Sequence, residues 1–259
     1  MSGANGPGFV QVALALVLVA IAVIVSRYWK LNLAKEMTLG TIRSFVQLIA
    51  VGYALEFIFG LNTWWLIVLT ILVMLTTGAY TSGGRIRGVD GALAIAWVSI
   101  AAGSLVTIAV MVAVDIIPFT ARYVIPLGGM IISNAMNAAA LAMTRLISDL
   151  RAHTLAIETA LALGKPWREA SRGLQRDAAT AGMLSTLNFM KTVGIVALPG
   201  AMTGMILGGA DPLEAVLLQI IVAYMLLSAV TITSIVAVDL TVRKFFTPHH
   251  QLRRLPALK

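Results

Sequence analysis

Long runs of mainly apolar residues alternate along the chain with short polar breaks. A helix that crosses a bilayer needs about 20 such residues. Seven stretches qualify: Phe9–Val25, Phe45–Leu61, Trp64–Thr81, Ala92–Val114, Val124–Ile147, Met183–Leu207 and Leu213–Val238. The first has no Lys or Arg before it and Arg27, Lys30 and Lys35 behind it, the reverse of a signal peptide, so it reads as a retained span that starts outside. The pattern predicts an all-α, polytopic integral membrane protein of about seven transmembrane helices, with residues 1–259 forming one membrane domain.

Composition agrees with this pattern and excludes other classes. Of the 259 residues, 59% are hydrophobic and 12% charged, too little polar surface to cover a water-facing globule. The absence of cysteine excludes a disulfide-stapled scaffold. A net charge of +8 on so apolar a chain leaves three explanations: nucleic acid, anionic lipid, or topology. The positions of the charges decide. With the N-terminus outside, 17 of the 19 Lys and Arg residues fall on the cytoplasmic side, leaving Arg122 outside and Lys191 within a span. Arg85 and Arg87, then Arg254 and Lys259, belong to that inner set. The orientation is therefore N-out and C-in, and the basic residues face the anionic leaflet. No aromatic-interleaved basic patch exists, so nucleic acid is not a partner; the lipid bilayer is.

Only one loop is large enough to hold structure, residues 148–182. Thr154–Leu163 is rich in helix formers, Gly164 supplies a stop, and Pro166 suits the first turn of a second helix. In that second helix Trp167, Ala170, Leu174 and Ala178 share one face and Arg168, Arg172 and Arg176 the other. Two readings stay open for the arginine face: headgroup contact by an interfacial helix, or a docking surface for a cytoplasmic partner. A basic tail occupies 239–259.

The string Glu158-Thr-Ala160-Leu-Ala-Leu-Gly164 resembles the E-x-A-x-x-x-G segment of ABC permeases, the coupling helix that seats in a cleft of the ATPase subunit. Around it stand Val124-Ile-Pro-Leu-Gly-Gly-Met130-Ile-Ile-Ser-Asn134-Ala-Met136-Asn, Arg176-Asp177, Lys191-Thr-Val-Gly194, Leu198-Pro199-Gly-Ala-Met202-Thr-Gly204, and Arg243-Lys-Phe-Phe with His250-Gln-Leu. Together these resemble the FetB-type permease family, membrane subunits of a bacterial iron exporter that are similar to plant aluminium-sensitivity permeases. The likeness covers nearly the whole chain, including Arg43-x-x-x-Gln47-Leu and Val51-Gly-Tyr, and is most specific from Val124 onward. Ser133, Lys165 and Met205 depart from the family pattern.

The resemblance implies a permease subunit of an ABC transporter that exports iron or a related metal ion across the bacterial inner membrane. It implies a separate cytoplasmic ATPase subunit that docks on 148–182, engaging Glu158, Ala160, Gly164 and the arginines 168, 172 and 176. It also implies a permease homodimer. The residues themselves add that no G-x-x-x-x-G-K-[ST] occurs, so the chain binds no nucleotide and ATP belongs to the partner; no cofactor is expected on this chain.

Polar groups inside spans are the remaining candidates for the substrate path. Lys191 lies eight residues into the sixth run, about 12 Å along a helix. It is either a snorkelling or structurally paired cation, or part of the translocation path, with Glu56 or a backbone carbonyl as partner. Glu56 sits near the outer end of the second run. Met130, Asn134 and Asn137 share one face of the fifth, where amides and thioethers either bond and fill between helices or provide weak metal ligands. No strong metal cage is encoded, and the metal site is unassigned. Pro199 followed by Gly200, Gly204 and Gly208 predicts a bend beside a close-packed face, either a hinge or a static packing device.

Three other functions are weighed against the metal-exporting permease. An ABC or secondary transporter of a non-metal solute stays open. A retinal protein would carry its lysine in the last span with an intramembrane Asp, and neither is present. A membrane enzyme lacks the His-Glu-x-x-His, buried His or Asp pair it would need.

Overall fold

The apolar runs are helices. The computed structural model describes residues 8–61, 63–84, 86 and 89–253. Among these, extended backbone pairs only at two isolated bridges, Val193 with Ala197 and Phe246 with Leu252. Arg85, Arg87, Arg254 and Lys259 lie outside the described residues. The chain divides into two compact units, Met1–Leu61 and Asn62–Lys259.

The first unit is a pair of helices, α1 (Phe9–Tyr28) and α2 (Ala34–Leu61). The Lys30 amide donates to the Arg27 carbonyl and the Leu31 amide to Ser26, closing α1 with Lys30 at positive φ. α2 begins well before the run at Phe45 and includes Lys35, Glu36 and Arg43. No residue of α2 is buried.

The second unit holds α3 (Trp64–Gly83), α4 (Ala92–Ala113), α5 (Ala121–Ala152), α6 (Thr154–Ala162), α7 (Trp167–Ala170), α8 (Arg172–Thr192), α9 (Gly200–Leu207) and α10 (Pro212–Phe245). Asp211 caps α10 by accepting the Leu213 amide at 2.8 Å, with Pro212 at the first helical position. α10 packs on α4, α5, α8 and α9. The core contains Ile67, Leu75, Ile100, Ile131, Met143 and Leu146. Outward residues such as Leu72, Val73, Val98, Leu105 and Val106 are equally apolar, the all-round character of helices that face hydrocarbon. Between helices the contact residues are small. A Cβ on Gly182 would meet Ser234 Oγ at 2.6 Å and the Ala138 carbonyl at 2.8 Å, and one on Gly103 would collide with Thr233 Oγ1 and the Ala229 carbonyl. Such glycines let backbones approach closely where burial alone gives no drive for association.

Six helices, α1 to α5 and α10, are long and apolar enough to cross a membrane. The run Met183–Leu207 is not one helix. Its first half continues backward into the arginine-bearing segment as α8, whose polar first turns keep it outside the set of six. At Thr192 the helix stops: one carbonyl accepts the amides of Ile195, Val196 and Ala197 around Gly194 at φ +84°, and Pro199 caps α9. The segment expected as a tail from Asp239 starts as the last turns of α10.

Candidate functional site

A cavity of about 440 Å³ opens where α5, α8, α9 and α10 meet. α5 contributes Met130 and Asn134, one turn apart; α8 contributes Ser185, Thr186 and Phe189; Pro199 and Gly200 close one side. The Asn134 Nδ2 is tied back to the Met130 carbonyl at 2.9 Å, so the amide's oxygen is left for the cavity. From α10 comes Gln219, only 5% exposed, whose Oε1 has no hydrogen-bond partner. Leaving a buried polar atom unmatched costs about 1–3 kcal/mol. A second cavity of about 580 Å³ is lined by Met190, Gly194, Met202 and Tyr224, and again by Gln219.

The other sequence candidates fall elsewhere. Asn137, on the same helix as Met130 and Asn134, is exposed and lines neither cavity. Lys191 is exposed in the last turn of α8, a position where a cation complements the helix dipole. Among the described residues no carboxylate pairs with it. Glu56 belongs to the first unit and is exposed. Pro199 stands at the start of α9, φ −65°, so it begins a helix and does not bend one. A Cβ on Gly200 or Gly204 would meet nothing within 4 Å, and on Gly208 only carbonyls of its own helix, so among the described residues nothing packs close against that face. Among the described residues no three His, Asp or Glu side chains cluster as a metal cage.

The loop after α5 forms a second feature. α6 ends in a glycine stop: Gly164 takes φ +83°, its amide donates to the Leu161 carbonyl at 2.9 Å, and the Lys165 amide donates to Ala160 at 3.1 Å. The glycine of the E-x-A-x-x-x-G string therefore sits where L side chains are strained. Ile157 is buried and anchors α6, while Leu155 and Leu163 are each 77% exposed, beside exposed Glu158. Arg168, Arg172 and Arg176 are exposed and Ala178 is buried, the division the spacing predicts. α7, a single turn, and α8 replace the one helix expected there.

Sequence reasoning missed two things here. Gln219 is an uncharged amide within a long apolar run, where only an ionisable group would stand out in the sequence. The chain after α10 turns back through the Phe246–Leu252 bridge onto the loop, where the Trp167 amide donates to His250 Nδ1 at 3.3 Å.

Residues 9–246 match the family described as Uncharacterised protein family (UPF0014). The chain is 42% identical to Protein ALUMINUM SENSITIVE 3 of Arabidopsis thaliana over 95% of this chain and 90% of that protein. It is 42% identical to the UPF0014 membrane protein STAR2 of Oryza sativa subsp. japonica over 95% of this chain and 86% of that one. It is 37% identical to the Probable iron export permease protein FetB of Escherichia coli (strain K12) over 93% of each chain. No solved structure matches it.

Proposed function

The chain belongs to the UPF0014 family of multi-pass membrane proteins, and from that membership we propose that it is the permease subunit of an ABC transporter exporting iron or a related metal ion, in the bacterial plasma membrane. The observation that carries the reading is the α6 loop. A short helix ends at a glycine in the left-handed region, presents Leu155, Glu158 and Leu163 to solvent, and is anchored from behind by Ile157. That is the form of a surface made to be gripped by another subunit. The relation to a relative named as an iron export permease supports the cargo.

On this reading the six long helices are joined by a seventh crossing made of α8 and α9 with the break between them, which gives N-out and C-in. α5 and α10, at 32 and 34 residues, exceed what about 30 Å of hydrocarbon requires. Their C-terminal turns, carrying Arg145, Asp149, Arg243 and Lys244, then extend into the cytoplasm with the α6 loop. A separate ATPase supplies energy, and two permeases assemble to match two ATPase subunits. The ATPase binds at Glu158, Ala160, Gly164 and the exposed arginines; Lys191, Met130, Asn134, Asn137 and Glu56 remain candidates for the path.

The test is co-purification with the cognate ATPase and stimulation of its hydrolysis. Glu158→Ala and Gly164→Leu should weaken both; unchanged binding and stimulation would remove the coupling assignment. Cells lacking the pair should accumulate iron, and unchanged iron content sinks the cargo.

A further inference from the structure

The outward faces of the long helices are not alike. Between Leu93 and Val110 the exposed residues of α4 are all apolar apart from Trp97, as hydrocarbon requires. Exposed Thr76, Thr77 and Thr81 of α3 return their hydroxyls to carbonyls of their own helix, which hides them from lipid. α5 and α8 differ. Between residues 130 and 148 of α5 the exposed positions are Ser133, Asn137, Leu141, Thr144, Arg145 and Ser148, at spacings that keep them on one side. On α8, Asp177, Thr180, Leu184, Asn188 and Lys191 form a second exposed stripe, with Ser185 alongside. Each stripe contains a single apolar residue.

The two helices pack on each other through small residues, Gly182 of α8 against Ala138 and Ala142 of α5. Beside the stripes, Asn134 and Ser185 line the first cavity together. The side chains of Asn137, Ser185 and Asn188 have no hydrogen-bond partner among the described residues. Hydrocarbon would leave these amides and hydroxyls unmatched, whereas water satisfies them. Polar and ionisable groups at membrane depth face the interior of a bundle or a water-filled cavity, and this face is not the interior.

We propose that the outward face of α5 and α8 is the wall of a water-filled passage, running from Arg145 and Asp177 at the cytoplasmic end to the first cavity, with Asn137 and Asn188 lining it at membrane depth. The inference rests on the transport reading above and gives that reading its route. A dry contact with another protein chain would also keep lipid from this face, and the experiment separates the two.

The sequence contains no cysteine, so a single introduced Cys is the only thiol. Asn137→Cys and Asn188→Cys are compared with Val98→Cys and Leu105→Cys on the apolar face of α4. These controls flank Gly103, which meets Thr233 of α10, while Gly182 joins the adjacent Ser234 to Ala138, so they share the depth of Asn137. The full-length chain in lipid nanodiscs is treated with a permanently charged methanethiosulfonate. Modification at positions 137 and 188 runs at least about tenfold faster than at 98 and 105, because the thiolate reacts and only a hydrated thiol ionises. All four positions are exposed, so the melting temperatures stay near that of the original chain. Equal rates at the two pairs, slow or fast, overturn the inference: slow rates mean that lipid or a dry partner covers the face, and fast rates mean that water does not distinguish it from α4. None of these rates involves the ATPase. Slow modification with co-purification intact sinks this inference alone, and fast modification at 137 and 188 without co-purification sinks the permease reading alone.

Discussion

Trp167, opening α7, stacks on Phe246, just past the end of α10, with ring centroids 5.3 Å apart and planes 17° from parallel. The Arg168 guanidinium lies 5.3 Å from the Trp167 ring centroid, so the indole meets both an aromatic ring and a cation. The turn that positions Phe246 is itself closed by hydrogen bonds: the Arg253 amide donates to the Phe245 carbonyl at 2.8 Å and the Thr247 amide to Gln251 at 2.9 Å. The end of the last long helix and the start of α7 are thereby one structure. The loop that follows α6 is thus in direct contact with the end of α10.

Removing the Phe246 ring should loosen that junction. Phe246 is 4% exposed, and truncation of a buried Phe to Ala costs about 3–5 kcal/mol. Phe246→Ala should lower the melting temperature and reduce ATPase stimulation together. Phe246→Leu keeps most of the burial and loses the stacking, about 1 kcal/mol, so stimulation should fall more than stability does. Equal losses in both variants would make the contact purely structural.

Two glycines of α4 and α9 should respond oppositely to the same added methyl. At Gly103 a Cβ would overlap Thr233 Oγ1 and the Ala229 backbone of α10; overpacking of this kind costs about 1–3 kcal/mol or more. Gly103→Ala should expose the loss as a lower melting temperature and poor yield. At Gly204 nothing lies within 4 Å, so Gly204→Ala should raise stability by about 0.4–1 kcal/mol through the unfolded chain's entropy. Thermal melts of both variants in one detergent decide it.

How far the sequence carried each conclusion depends on what fixes each feature. The long helices were legible because length and apolarity determine them. The break in Met183–Leu207 was not, since hydropathy averages over it. Its cause is backbone geometry, Gly194 at positive φ and the Thr192 carbonyl shared by three amides, and the only sequence trace is Gly194 and Pro199 bracketing a short apolar stretch. Met130, Asn134, Pro199 and Gly200 were singled out and do line one cavity. Gln219 was not, because an amide in a run of Val, Leu and Ile signals nothing until its oxygen is seen to lack a partner. Trp167 and Phe246 lie far apart in the chain, and no periodicity relates them.

On the permease reading, substitutions at the Gly164 stop separate folding from coupling. An L side chain at φ +83° is strained, and replacing a glycine there by alanine costs about 1 kcal/mol. Gly164→Asn, which tolerates the left-handed region better, should recover most of the stability. If the coupling surface needs only the helix stop, Asn restores ATPase stimulation as well. If it needs the bare backbone for close approach of the partner, stability returns and stimulation does not, and stopped-assay hydrolysis rates against melting temperature for both variants distinguish these.

Leu155 in α6 and Leu163 just past its end provide the most direct separation of fold from docking. Leu155 and Leu163 are each 77% exposed, whereas Ile157 is 2% exposed between them. Exposed substitutions usually change stability by less than about 0.5 kcal/mol, so the double variant Leu155→Asp, Leu163→Asp should melt like the original chain. Buried charge at position 157 has no such freedom, and Ile157→Asp should unfold the loop or the whole chain. If the exposed pair forms the apolar centre of an interface, where a few residues carry most of the energy, the double variant loses ATPase co-purification outright with its melt unchanged. Retained co-purification would move the docking surface from the two leucines to the arginine face at Arg168, Arg172 and Arg176, and raising the salt concentration would then weaken the complex, as it would not for an apolar contact.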